Sequence, residues 1–98
     1  MTDTPKFELG QVVATPGSLD ALRKAGQTVR ELVARHLRLE QGELCDDDHH
    51  ANQMSLTDGG RILSSFRLKT GEKVWVLTEA VGDDGKRAST CLLLPEEY

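Results

Sequence analysis

The sequence predicts an α+β fold, with two or three short helices packed on one face of a three- to four-stranded antiparallel sheet that forms a C-terminal β-meander. Three observations carry this. Helix-start signals and apolar spacing near 3.6 occupy residues 15–58, the spacing drops to two from Arg61 onward, and turn signals cut that second part into three runs. The 98 residues suffice for one domain with a modest core. Residues 1–6 read as a flexible N-terminus and residues 7–98 as the domain.

Residues 7–14 (FELGQVVA) suit a short strand, placed at an edge. Thr15-Pro16 is a helix N-cap followed by proline at the first helical position, and Gly26 is the matching stop. Thr28-Val29-Arg30-Glu31 is a capping-box pattern. Beyond it Val29, Leu32, Val33, His36 and Leu37 recur along one helical face, ending before Gln41-Gly42. Cys45 and Asp46-Asp47-Asp48 open a third helix, because carboxylates complement the amide end of a helix. Asp58-Gly59 closes it.

The strand runs are RILSSFRL, VWVLTEAV and RASTCLLL. Lys69-Thr70-Gly71 between the first two fits a three-residue hairpin loop with glycine left-handed. That loop sets Leu68 opposite Glu72, and then Phe66 with Val74, Ser64 with Val76 and Ile62 with Thr78. The other face receives Ser65 with Trp75, Leu63 with Leu77 and Arg61 with Glu79. Gly82-Asp83-Asp84-Gly85-Lys86 makes a longer exposed loop. The apolar run Cys91-Leu92-Leu93-Leu94 belongs to a central strand, which Pro95 ends.

Charge narrows the partners. Twelve Lys+Arg against sixteen Asp+Glu leave a net charge of −4, which argues against broad phosphate-backbone binding. Aromatic residues make up 4% of the chain, too few for a base-stacking platform. The basic residues Arg30, Arg35 and Arg38 lie beside Glu31 and Glu40, as on a solvated helix face. Two cysteines, Cys45 and Cys91, read as thiols of a cytoplasmic protein. No leader-like or membrane-spanning apolar run is present in the sequence.

The series Arg61-Ile62-Leu63-Ser64-Ser65-Phe66, Val74-Trp75-Val76-Leu77-Thr78-Glu79-Ala80 and Leu92-Leu93-Leu94-Pro95-Glu96-Glu97-Tyr98 resembles a poorly characterised family. Its members are small bacterial proteins carried on plasmids and integrated elements, sometimes labelled as restriction-system subunits. Gly10 to Gly17 and Ala34-Arg35-His36 also resemble that family, so the similarity spans roughly residues 7–98. The chain departs from it at Val81, where the family has an Asp-Arg turn, and at Gln41-Gly42, where it has Trp-Gly. The resemblance implies a mobile-element setting and names no chemistry.

Four groups of residues bear on chemistry. His36 could act as a base or ligand, against the plainer account of a core histidine with a hydrogen-bond partner. Cys45, His49 and His50 around the Asp46-Asp47-Asp48 run invite a metal reading. They lack a Cys-x-x-Cys or His-x-x-x-His pair, so an acidic helix cap explains them and no metal or other cofactor is expected. Arg61, Ser64, Ser65, Thr78 and Glu79 could bind phosphate or assist RNA cleavage, against a cross-strand Arg61–Glu79 ion pair and ordinary strand hydroxyls. Asp46, Asp47, Asp48, Asp83 and Asp84, with the Glu96-Glu97 end, form exposed acidic surface suited to a basic partner.

Two functions follow as expectations. The first is a non-catalytic mobile-element accessory protein that binds a host or element-encoded protein, as a regulatory or anti-defence inhibitor. The second is a compact toxin-like ribonuclease or nucleotide-processing enzyme using His36 and Arg61 with Ser64 and Glu79. Pairing into a homodimer through an exposed edge strand is a further option.

Overall fold

The computed structural model describes residues 7–40, 42 and 44–98; the expected flexible segment 1–6 and Gln41 lie outside these. Helix α1 (Pro16–Ala25) starts where its cap predicts. The Thr15 hydroxyl accepts the Ser18 N–H at 3.1 Å, and Gly26 closes the helix in the left-handed region. Helix α2 (Val29–Leu37) is capped by Thr28, which accepts the Glu31 N–H at 3.2 Å. It ends short of the expected Gln41-Gly42 break, because Arg38 and Leu39 already turn back to the Arg35 and His36 carbonyls. Leu39 takes a φ of +61° there. Helix α3 (Asp46–Asp58) follows Cys45 and stops at left-handed Gly59.

Four strands, β1 (Gln11–Ala14), β2 (Ile62–Arg67), β3 (Lys73–Thr78) and β4 (Ser89–Leu93), form one sheet in the order β1-β4-β3-β2. The β2–β3 register agrees with the hairpin arithmetic at every pair from Ile62↔Thr78 to Phe66↔Val74. Leu68 donates its N–H to the Glu72 carbonyl at 2.7 Å, closing the loop. The apolar β4 is central, as its composition implies.

One expectation is corrected. The sheet is mixed rather than antiparallel, because β1 runs parallel to β4. Residue periodicity carries no strand direction; here direction is set by hydrogen bonds at both ends of β1. The Gln11 N–H meets the Ala88 carbonyl at 3.0 Å, and the Thr15 N–H meets the Leu92 carbonyl at 2.9 Å. Ser18 adds a bond from its hydroxyl to the same Leu92 carbonyl. The strands therefore do not all lie in the C-terminal part.

Two helices pack on one face, within the expected two or three: α1 and α2 cover the face that carries Ile62, Ser64, Phe66, Val74, Val76, Thr78, Thr90 and Leu92. Ala21, Leu22 and Leu32 form the core there with Phe66, Leu68, Val74, Val76 and Leu92. Arg35 lays its guanidinium over the Phe66 ring at 4.5 Å. Helix α3 has no apolar stripe, its buried residues being Asn52 and Ser55, and it lies along the outer edge of β2.

That edge is closed by side-chain chemistry. Asn52 accepts the Leu63 N–H at 3.0 Å and donates to the Leu63 carbonyl at 2.7 Å, standing in for a fifth strand. Gly42 bridges Ser65 one step along, at a place where a Cβ would lie 2.1 Å from the Ser65 carbonyl oxygen. Asn52→Leu, which keeps the branched shape of the side chain and removes both bonds, is expected to cost about 2 kcal/mol. Urea denaturation measures it, and a midpoint unchanged from the parent would show the edge is held by packing alone.

Candidate functional site

Of the singled-out residues, His36 is the one most completely sequestered. It projects from α2 into the helix-covered face and is fully buried. Its Nδ1 lies 2.5 Å from Ser64 Oγ and its Nε2 lies 2.8 Å from Thr78 Oγ1. Thr78 in turn lies 2.7 Å from Thr90 Oγ1, which donates to the Leu9 carbonyl at 2.8 Å. Counting hydrogens assigns every donor. Thr90 spends its hydrogen on Leu9, so it must accept from Thr78; Thr78 must then accept from Nε2–H. The Ser64 hydroxyl is left to donate to Nδ1.

The ring is thus a neutral Nε2–H tautomer, with both nitrogens used. Burial pushes its pKa down to about 4. Phe7 closes the site edge-on, with ring centroids 5.1 Å apart. Ser64 and Thr78 are as buried as the histidine, so the Ser–His–Thr chain has no surface at which a substrate could meet it. This is the satisfied core histidine of the plainer account.

Arg61 and Glu79 sit elsewhere. Arg61 precedes β2 and borders a cavity on the opposite face of the sheet, so His36 and Arg61 do not converge in one cleft. The β2–β3 ladder stops at Ile62↔Thr78, and among the described residues Arg61 and Glu79 form no ion pair. Ser65 lies on the Arg61 side of the sheet, paired with Trp75. The structure therefore joins His36 with Ser64 and Thr78, and separates that group from Arg61, Ser65 and Glu79.

The opposite face is the one without α1 and α2. Register runs Leu63↔Leu77, Leu77↔Cys91 and Cys91↔Val13, an apolar row across all four strands. Val13 is 40% exposed and the other three are half-buried. The row leads into a cavity of about 290 Å³ between α3 and the sheet, lined by Ala51, Leu63, Trp75, Leu77 and Tyr98, with Asp48 and Arg61 at its margin. Tyr98 meets Trp75 edge-on at 5.6 Å. Burial first, and then Glu97 and Glu79, push the Cys91 thiol above its ordinary value, which keeps it protonated and unreactive.

The acidic clusters are spread out. Asp46, Asp47 and Asp48 are exposed in the first turn of α3. Asp83 and Asp84 are exposed in the loop following Val81, whose N–H binds the Gly59 carbonyl just past the other end of that helix. The 13 residues of α3 span about 20 Å, with one cluster at the start of the helix and the other in the loop beyond its end. Glu97 is no free tail group, contrary to expectation. It accepts from the Thr15 hydroxyl at 2.6 Å and from the Leu94 N–H at 2.8 Å, and these bonds hold its carboxyl below the usual carboxylate range. On the basic side, Arg38 pairs with Glu40 at 2.5 Å.

Cys45, His49 and His50 do not form a metal centre with their neighbours; among the described residues no three His, Cys, Asp or Glu converge as ligands. Cys45 and Cys91 are both free thiols. No helix among the described residues is long and apolar enough to cross a membrane.

Arg87 is a residue that sequence reasoning missed. It is 7% exposed and binds three carbonyls, Gly60 at 2.6 Å, Glu79 at 2.9 Å and Ser55 at 3.1 Å. It forms the floor of a second cavity, of about 400 Å³, whose margin holds Glu8 and Asp58. An arginine beside a predicted loop reads as surface, and nothing in the local sequence marks it as an anchor.

Comparison with protein-family models, with curated proteins and with solved structures finds no match for this chain.

Proposed function

We propose that the chain is a small non-catalytic accessory protein that acts by docking an acidic, partly apolar surface onto another protein. The observation that carries this is the sheet face left open by α1 and α2. An apolar row crosses all four strands there, and Asp48, Glu79 and Glu97 stand around it. An apolar strip with carboxylates at its margin suits a partner whose own apolar contact is flanked by Lys or Arg. Asp46 and Asp47, at the same end of α3 as Asp48, add to the field that steers such a partner, while Asp83 and Asp84 act from the far end.

In the mobile-element setting that the resemblance implies, the concrete version is an inhibitor of a host defence protein that covers a basic surface otherwise used for nucleic acid. The test is quantitative capture from a bacterial lysate, comparing the parent with Asp46→Lys/Asp48→Lys and with Leu77→Lys. A partner held by the parent and lost by Leu77→Lys is expected, with its association rate reduced about tenfold by the charge reversals. Identical capture and rates for all three proteins overturn the reading.

A further inference from the structure

The two edges of the sheet are treated differently. Asn52 and Gly42 cover β2, whereas nothing among the described residues covers β1. The Gln11 and Thr15 N–H groups point to β4, so alternation along the strand turns the N–H and C=O of Val12 and Ala14 outward. Val12 and Val13 are 41% and 40% exposed. The strand reads Gln-Val-Val-Ala, with no Lys, Pro or other charge of the kind that blocks an edge. In a chain of net charge −4, this uncharged edge is where two copies can approach with least repulsion.

We propose that β1 pairs antiparallel with β1 of a second copy, making one continuous eight-stranded sheet. The outward groups fix the register. Val12 of one copy exchanges both hydrogen bonds with Ala14 of the other, and the reverse, so Val13 faces its own counterpart across the two-fold axis as a non-hydrogen-bonded pair. A register shifted by two would require Gly10 to pair, but Gly10 has φ +64° and has left the strand. In the Val13-centred register the apolar row Leu63–Leu77–Cys91–Val13 meets its copy head-on, doubling the strip on the open face. The pairing is independent of the docking reading above. Two four-residue strands bury much less than the roughly 1,200 Å² of a standard interface, so the dimer is weak and in exchange with monomer.

Disulfide trapping reads the register directly. Opposed residues of a non-hydrogen-bonded pair have Cα atoms near 4.5 Å, within disulfide range, whereas Val12 faces the other surface of the sheet and is offset from its counterpart. In a Cys45→Ser/Cys91→Ala background under mild oxidation, Val13→Cys should form covalent dimer at least about tenfold faster than Val12→Cys. Val13→Lys, in the otherwise unaltered chain, should lower the average mass in sedimentation equilibrium at millimolar protein, with an unchanged circular dichroism spectrum. Equal cross-linking by the two cysteines, or a parent chain monomeric at that concentration, overturns the proposal.

Discussion

Acidification from pH 7 should destabilise the protein by about 2 kcal/mol at pH 5 and about 3 kcal/mol at pH 4, through His36 alone. In the folded chain its pKa is lowered to about 4 from an ordinary 6.5. Between those values the unfolded state binds a proton that the folded state refuses, so stability is full above 6.5 and falls as pH descends toward 4. The cause is geometric. A second ring proton on Nδ1 would oppose the Ser64 hydroxyl that donates there, in a fully buried site. The depressed carboxyls of Asp20, Glu40 and Glu97 act in the same direction but below their ordinary values of 3.8, 4.5 and 4.5. The interval from pH 6.5 to 5 therefore isolates the histidine. Urea midpoints across that interval measure it, with His36→Phe as the control expected to show a flat profile on a lower baseline. A parent profile as flat as the variant's would refute the neutral buried ring.

The largest single-residue loss is expected at Arg87. Arg87→Met keeps the unbranched apolar stem while orphaning the carbonyls of Ser55, Gly60 and Glu79. These three belong to α3, to the turn after it and to the end of β3, so one guanidinium joins a helix terminus to the sheet. With about 1–3 kcal/mol for each buried acceptor left bare, and partial relief by water, a loss of about 4 kcal/mol is expected. Arg87→Lys should recover a part of it, because one ammonium cannot span three acceptors set by a planar fork. Burial already draws the guanidinium pKa downward, with Asp58 opposing, yet the group stays charged at any ordinary pH. Thermal melts of both variants decide the matter. A cost below about 1 kcal/mol for Arg87→Met would mean that these carbonyls find water.

Helix starts and hairpin register were open to sequence reasoning because both are local. Thr15-Pro16, Thr28 with Glu31, and Asp58-Gly59 each act within a few residues, and the Lys69-Thr70-Gly71 loop length dictates who faces whom along β2 and β3. The candidate site was legible only in part. His36 stood out by type and position on the apolar stripe of α2, but its partners Ser64, Thr78 and Thr90 lie 28 to 54 residues away. Asn52, which looks like any helix-surface amide, closes a strand edge through bonds formed once β2 lies beside it.

By itself, then, the sequence determined the elements, the helix starts and the β2–β3 pairing, since capping, turn length and periodicity act over short stretches of chain. Only the tertiary structure decided three things. It set the direction of β1, the placement of α3 at an edge rather than over the core, and the division of the polar residues between a sealed histidine chain and the exposed surface. Each depends on hydrogen bonds between groups distant in sequence, such as Thr15 with Leu92 or Arg87 with Ser55. Such bonds gain their value from burial, and burial is a property of the assembled domain.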